Sequence, residues 1–287
     1  MVATRRPSPR GACILICGVF LGVWGSFLFR ISERESLLAE NRHLAEQLSF
    51  LQSGGPSGSK VVVSKRTCPF VPPSNTEVKV QSNGGWVYTE AVIARWHVVF
   101  DDGFGTALSS FLGSASIYDI GAGVGQLAVL LAKKNSLVDY AGFDGGNNIQ
   151  RMWGKLTPLR GDQNHVVPEI CWIDAAVPVT LPKRSWVVSF EVGEHIPKKS
   201  EAQFLDNLVA LCTEGVVVSW AIPGQPGRNH INSRSNAHII AEMEKRGLVY
   251  DAAQATAFRD TVGQDTWWLK RSLMVFRREG VLAPSGS

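Results

Sequence analysis

Three glycines at alternate positions follow a short apolar run and form the strongest chemical signal in the sequence. The stretch reads Asp119-Ile-Gly121-Ala-Gly123-Val-Gly125-Gln126. Glycines in such a turn permit positive φ and let the backbone approach a ligand closely. The spacing G-x-G-x-G differs from the dinucleotide fingerprint G-x-G-x-x-G, because Gln126 stands at the sixth place. Since no GK[ST] follows, the sequence also excludes a P-loop.

Acidic residues end the three predicted strands nearest this turn. Asp119 precedes the first glycine by two positions, where a carboxylate can meet a cationic amino group. Asp144 lies 19 residues after Gly125 and suits an acid that accepts both ribose hydroxyls of a nucleoside. Asp174 could accept a hydrogen bond from an adenine amino group. Each acid alone could be a helix cap or turn residue, but the three together predict a nucleoside site.

Acid–base residues are predicted to follow the fourth and fifth strands. The first segment contains Glu191, Glu194 and His195, and the second contains His230. An unperturbed histidine titrates near neutral pH and can take a proton from a nucleophile. These four are the candidate catalytic residues; the alternatives are loop histidines bonded to backbone and glutamates that cap the next helix. The sequence has no zinc-like spacing of Cys and His, so no metal site is predicted.

The elements that must position these residues alternate between strand and helix. Continuous apolar strands in such a series predict a parallel sheet covered on both faces, with the ligand at the carboxyl ends of the strands. The predicted fold class is α/β, with a Rossmann-like, doubly wound, seven-stranded and mostly parallel sheet. The predicted strands are Ser116–Ile120, Val138–Phe143, Glu169–Asp174, Ser185–Phe190, Gly215–Trp220, Leu248–Tyr250 and Leu273–Arg277. The predicted helices are Val124–Lys134, Lys199–Cys212 and Asn236–Arg246.

The motifs DIGAGVGQLA, GFDGG, IDAAVP and VVSFEVGEHI resemble the successive motifs of class I S-adenosylmethionine-dependent methyltransferases, over roughly residues 85–277. SFEVGEHIPK and VVSWAIPGQPGRNHIN are similar to a group of methyltransferase-domain proteins of protists and invertebrates. The resemblance implies S-adenosylmethionine as the cofactor, with its methionine part against Asp119, its ribose on Asp144 and its adenine beside Asp174. The candidate cofactor-binding residues are Asp119, Gly121, Ala122, Gly123, Gly125, Gln126, Asp144, Gly145, Asp174 and Ala175.

An aromatic segment, with Trp86, Tyr88, Trp96 and His97, precedes the first strand. In a fold of this type such a segment often closes over the site. The alternative is that these residues pack under the sheet edge.

The first sixty residues differ in kind from the rest. Residues 1–10 are basic, and 11–29 carry no charge over nineteen residues, a helix about 28 Å long that could span a bilayer. Residues 30–60 predict a helical stem and a Gly/Ser linker, in which leucines at heptad spacing over 31–52 could form a homodimeric coiled coil or a solvated amphipathic helix. The methyltransferase domain is predicted at 61–287.

The basic tail before the apolar run predicts a type II single-pass membrane protein of the endoplasmic reticulum or Golgi, with the domain in the lumen. A cleaved signal peptide, leading to secretion, and an organelle transit peptide are the alternatives. Cys68 could be free or joined to another chain, whereas Cys171 and Cys212 are expected in the core.

Apolar residues make up 45% of the chain and charged residues 19%, the balance of a folded protein rather than a disordered one. The net charge of +4 is too small to predict a nucleic-acid partner. The sequence therefore predicts a methyltransferase (EC 2.1.1.-) with an unidentified acceptor, preferably a hydroxyl or carboxyl group of a small molecule or glycan. One alternative is a catalytically inactive scaffold dimerised by its stem. The other, a nicotinamide oxidoreductase, is disfavoured by the glycine spacing.

Overall fold

The structure of the 287-residue chain is a computed structural model, and it describes residues 68–72, 80–89, 100–134, 136, 138–155 and 169–280. All of these lie in the second of the two units into which the chain divides, residues 58–287. The predicted anchor at 11–29 and the predicted stem at 31–52 lie outside the described residues. Within the described residues, no helix is both long enough and apolar enough to cross a bilayer.

Seven strands form one sheet, as predicted. Two of them, the first and the sixth, have the predicted bounds, whereas the third is shorter than the predicted Glu169–Asp174. Only two of its residues pair with the neighbouring strand. The strands are β1 Ser116–Ile120, β2 Asp139–Asp144, β3 Cys171–Trp172, β4 Arg184–Ser189, β5 Cys212–Ser219, β6 Leu248–Tyr250 and β7 Leu273–Arg278.

The strand order is β3-β2-β1-β4-β5-β7-β6. Strands β1 to β5 run parallel, and β7 is antiparallel to both β5 and β6. The chain leaves β1 towards one side of the sheet and later returns to its other side with β4, so the topological switch point lies between these two strands. In an open parallel sheet, ligands bind at the carboxyl ends of the strands at this point. The glycine-rich turn and the Glu191–His195 segment both emerge there.

Helices cover both faces of the sheet and create two apolar layers. Alternate residues of a strand point to opposite faces, so Trp186 and Val188 of β4 lie in one layer and Val187 lies in the other. Among the described residues, the structure has the three predicted helices and four that the sequence did not predict. The helices are α1 Asp102–Leu112, α2 Gln126–Lys133, α3 Ile149–Lys155, α4 Glu201–Leu211, α5 Asn236–Glu244, α6 Ala252–Thr261 and α7 Leu269–Ser272.

A disulfide joins Cys68 to Cys171 of β3, across 103 positions of sequence. Cys171 is buried in the core, as predicted. The prediction for Cys68, which was either free or joined to another chain, was wrong, because its partner is in the same chain. Cys212 is a buried free cysteine, as predicted. The bond ties the segment that precedes the domain's first helix to the edge of the sheet.

Candidate functional site

The glycine-rich turn between β1 and α2 has the backbone that its composition predicts. Gly121, Gly123 and Gly125 have φ of 85°, 55° and 92°, in the left-handed region that other residues rarely adopt. The amides of Gly121 and Ala122 both donate to the carbonyl of Phe143 on β2, at 2.7 and 2.8 Å. The turn is thereby fixed to the end of the neighbouring strand.

Asp119 lies on β1 just before this turn and is 3% exposed. Its Oδ2 accepts a hydrogen bond of 2.6 Å from the hydroxyl of Tyr140. Burial raises the pKa of Asp119 to about 7, and the nearby charge of Asp144 acts in the same direction, although the Tyr140 hydrogen bond opposes it. A cation placed against this carboxylate would therefore relieve an unfavourable buried charge.

Asp144 ends β2 and is 6% exposed. Its two oxygens accept hydrogen bonds from the amides of Gly123, at 2.9 Å, and Gly146, at 2.7 Å. Burial nevertheless raises the pKa of the Asp144 carboxyl, which also accepts a hydrogen bond from the hydroxyl of Tyr88. Asp144 thus holds the glycine-rich turn to the tip of β2. Each carboxylate oxygen has two lone pairs, so accepting one amide does not use up its capacity.

The segment 80–89 lies across the tips of β2 and β4. A Cβ atom added to Gly85 would lie 2.3 Å from the carbonyl oxygen of Gly145, and one added to Gly84 would lie 2.4 Å from that of His195. Trp86 makes an edge contact with the His195 ring, whose centroid is 5.8 Å away. Trp86 and Tyr88 therefore close over the predicted site, whereas Trp96 and His97 lie outside the described residues.

The remaining candidate cofactor residues make local contacts. The side chain of Gln126 accepts a hydrogen bond of 3.0 Å from the amide of Val124, within the turn. Asp174 accepts a hydrogen bond of 2.9 Å from the amide of Ala176. It therefore acts as a turn residue, which the sequence left open as the alternative to binding the cofactor. The carbonyl of Ala175 accepts a hydrogen bond from Asn207 of α4 at 2.9 Å. Of the three acids predicted at strand tips, the structure buries two beside the glycine-rich turn and leaves Asp174 partly exposed.

The four candidate catalytic residues come together from two loops. His195 contacts the carbonyl of Asn229, which is 34 positions away in the sequence. His230 Nε2 lies 3.9 Å from Glu194 Oε1, and the rings of His195 and His230 are 5.2 Å apart between centroids. Glu191 accepts hydrogen bonds from Ser219 and Gln225, at 2.8 and 2.9 Å. The candidate site is therefore built by the loop after β4 and the loop after β5 together.

Trp220 and Asn232 join the loop after β4 to the loop after β5, a structural role that the sequence did not predict. Trp220 is fully buried, and its indole Nε1 donates to the carbonyl of Asn232 at 2.7 Å. The amide of Asn232 in turn donates to the carbonyl of Glu194 at 2.9 Å. Gly193 is required beside them, because a Cβ there would lie 2.2 Å from the Trp220 ring. Asn232 is fully buried and acts as this bridge.

Burial disfavours charge at this cluster. It lowers the pKa of His195 to about 4 and lowers the pKa of His230, so both rings are neutral near pH 7. It raises the pKa of Glu194 well above the usual range, and the neighbouring Glu191 carboxylate raises it further. A general base is most effective with a pKa near the working pH. With its pKa at about 4, His195 is a weak base near neutral pH.

No family model matches the chain, and no curated protein matches it. Among solved structures, magnesium protoporphyrin IX methyltransferase (ChlM) from Synechocystis PCC 6803 with bound SAH is 16% identical, over 62% of this chain and 83% of that one, with a TM-score of 0.47. A TehB-like SAM-dependent methyltransferase from Corynebacterium glutamicum is 15% identical, over 61% and 86%, with a TM-score of 0.44. The glycopeptide N-methyltransferase MtfA, complexed with sinefungin, is 8% identical, over 63% and 87%, also with a TM-score of 0.44.

The topology supports the fold predicted from the sequence. It consists of a seven-stranded sheet with a single reversed strand, a glycine-rich turn after β1 and helices on both faces. By these features the chain has the Rossmann-like, doubly wound α/β fold that its sequence predicts.

Proposed function

We propose that the chain is an S-adenosylmethionine-dependent methyltransferase with an acceptor still to be identified. The observation that carries the proposal is the pair of buried acids, Asp119 and Asp144, at neighbouring strand tips on either side of a left-handed glycine turn. A buried carboxylate is costly unless it meets a positive charge or hydrogen-bond donors. The methionine ammonium group and the ribose hydroxyls of the cofactor supply both, so these residues fit it.

In this arrangement Asp119 binds the ammonium group and the amides of the glycine-rich turn lie against the methionine part. Asp144 accepts hydrogen bonds from the ribose. S-adenosylmethionine supplies an electrophilic methyl group when bound, and the chain's own contribution is to hold an acceptor in line with it. Gly121 faces the Val192 side chain, since a Cβ there would lie 2.2 Å from Val192 Cγ2. The Glu191–His195 segment is therefore next to the glycine-rich turn and is the expected acceptor side.

The preferred acceptor is a hydroxyl or carboxyl oxygen of a small molecule or a glycan. Support comes from the polar cluster Glu191, Glu194, His195 and His230, which offers acceptors and neutral imidazoles rather than an aromatic pocket. The acceptor class remains a proposal that a metabolite comparison between wild-type and knockout cells can test. Methyl esters or ethers that vanish in the knockout would identify it, whereas loss of N-methylated products alone would contradict the preference.

One observation favours the alternative, an inactive scaffold. Segment 80–89 lies over Gly145 and Gly146: a Cβ at Gly146 would lie 2.5 Å from the carbonyl oxygen of Trp86. The adenosine part of the cofactor is expected at this turn, so binding requires the segment to move. Calorimetry of the full-length chain with S-adenosylhomocysteine separates the two functions. Saturable binding that NADH does not compete away supports the methyltransferase, and no binding at millimolar ligand supports the scaffold.

For location, we propose an oxidising compartment reached through the apolar segment 11–29. The Cys68–Cys171 disulfide supports this, because such bonds persist in the secretory pathway and are reduced in the cytosol. Protease protection in sealed microsomes, followed by carbonate extraction, tests both parts. A protected, carbonate-resistant domain is expected. A protease-sensitive domain would contradict lumenal exposure, and a mature N-terminus near residue 26 would show cleavage.

A further inference from the structure

Glu194, His195 and His230 form a compact set of metal-ligating side chains. One ligand atom from each lies within 4.8 Å of the other two. His195 is adjacent to Glu194 in the chain, and His230 reaches the pair from the loop after β5. The spacing of these residues in the sequence follows none of the usual zinc patterns, which is why sequence reasoning missed the group.

Hydrogen bonds to backbone carbonyls fix the tautomer of both histidines. Nδ1 of His195 lies 3.1 Å from the carbonyl oxygen of Asn229, and Nδ1 of His230 lies 3.3 Å from that of Gln225. A carbonyl oxygen can only accept, so each Nδ1 carries the proton and each Nε2 keeps its lone pair. Metal-binding histidines typically use their second nitrogen in this way, because a donated hydrogen bond orients the ring and strengthens the ligand.

The carboxylate of Glu194 lacks the partners that its burial requires. The residue is fully buried, and neither oxygen receives a hydrogen bond of ordinary geometry from the described part of the chain. The amides of Glu194 and Ala221 and the carboxyl of Glu191 are its polar neighbours. Leaving a buried polar group unpaired costs roughly 1–3 kcal/mol, and more when it is charged. A cation between Glu194 and the two imidazoles would give this carboxylate a partner of opposite charge.

We infer that Glu194, His195 and His230 bind a divalent transition-metal ion of the zinc class. Two imidazoles and one carboxylate suit zinc and its neighbours in the first transition series, whereas Mg²⁺ and Ca²⁺ prefer oxygen ligands throughout. Three protein ligands leave a fourth position open. Glu191, held by Ser219 and Gln225, lies beside Glu194 and adds negative charge next to the ion.

The open position gives the ion a role that rests on the proposed function. Glu194 is two residues from Val192, whose side chain lies against Gly121 of the glycine-rich turn. An acceptor oxygen bound to the ion would lie on the acceptor side of the site, oriented by the metal and more easily deprotonated. Metal binding itself can be measured without any acceptor.

The test uses the full-length chain, stripped of metal with a chelator and then titrated with Co²⁺. Bound Co²⁺ reports tetrahedral N/O ligation through its visible d–d absorption, and Zn²⁺ is then added as a competitor. Wild type is expected to bind about one equivalent. Glu194→Gln keeps the volume of the side chain, and His230→Asn removes one imidazole. Each should weaken binding at least tenfold, because loss of even an outer-shell partner of a metal ligand typically costs about 10–100-fold in affinity. The matched control is His238→Asn, because His238 of α5 pairs with Glu201 of α4, outside the cluster.

A thermal-unfolding scan of each variant shows whether it is folded and whether Zn²⁺ raises its midpoint as it does in wild type. The inference is overturned if stripped wild type takes up no Co²⁺ with d–d bands, or if Glu194→Gln binds as tightly as His238→Asn. S-adenosylhomocysteine binding, measured on the same samples, separates the two proposals. A chain that binds this ligand but no metal refutes the metal site alone, and a chain that binds metal but not the ligand refutes the proposed function.

Discussion

The pKa of about 7 at Asp119 makes cofactor affinity depend on pH if this carboxylate binds the methionine ammonium group. A cation beside the carboxylate favours its ionised form, so below pH 7 the bound proton has to leave before the cofactor can bind. Affinity should therefore fall as the pH is lowered. The sign would be reversed if the site needed a protonated acid as a donor.

The size of the effect follows from the ionised fraction. With a pKa of about 7, Asp119 is about nine-tenths ionised at pH 8 and about one-tenth ionised at pH 6, so the dissociation constant should rise about tenfold between them. Asp119→Asn cannot ionise and should lose this dependence. It should also bind more weakly at pH 8, by about 1–3 kcal/mol, the worth of a hydrogen bond to a charged group.

Calorimetry with S-adenosylhomocysteine at pH 6, 7 and 8 measures both effects, because this product keeps the ammonium group. The Asn variant retains an acceptor for the Tyr140 hydroxyl, which lies 2.6 Å from Asp119 Oδ2, so the fold around it should persist. Tyr140→Phe removes the donor that lowers the pKa of Asp119 and should move the midpoint to higher pH. Parallel pH profiles for wild type and Asp119→Asn would refute the placement of the ammonium group.

Three further changes test the site and its support. Asp144→Ala should weaken S-adenosylhomocysteine binding by about 1–3 kcal/mol in calorimetry, whereas Asp139→Ala, at the other end of β2, should not; equal losses would remove Asp144 from the site. Replacing Cys68 and Cys171 together by Ala should lower the free energy of unfolding in urea by about 4–5 kcal/mol, since the bond closes a loop of about a hundred residues; an unchanged midpoint would mean that the bond is not formed. Gly193→Ala should cost about 1–3 kcal/mol in the same assay, because the new methyl group meets the Trp220 ring, and full stability would contradict that contact.

The sheet could be predicted closely because its strands are continuous apolar runs. Ser116–Ile120 and Leu248–Tyr250 were predicted to the residue. The predicted third strand was too long because an apolar run does not show where pairing stops: only Phe143 and Asp144 of β2 are available to Cys171 and Trp172. The reversed direction of β7 could not be predicted either, since side-chain alternation is the same for both directions.

The candidate site was predictable in its residue types but not in its contacts. Adjacent carboxylates and histidines suggested acid–base chemistry, yet the grouping of Glu194 with His230 depends on the Trp220–Asn232 link, which joins two loops that are distant in sequence. The second role of Asp144 likewise needed coordinates, because the sequence does not show that its carboxylate also accepts the amides of the neighbouring turns. The Cys68–Cys171 pairing spans too many positions for spacing to indicate it.

Backbone strain marks the same place as the chemistry. Among the described residues, Glu191 and Asn229 are the two non-glycine positions with positive φ, at 55° and 57°. Such conformations cost of order 1–3 kcal/mol and persist when surrounding contacts determine them. Here the contacts are those of the site itself: Ser219 donates to the Glu191 carboxylate and accepts from its amide, and the Asn229 carbonyl holds His195. The strain is greater at Glu191, because asparagine adopts the left-handed conformation more readily than glutamate does. It is expected where a fold holds ligating side chains in place before their ligand arrives.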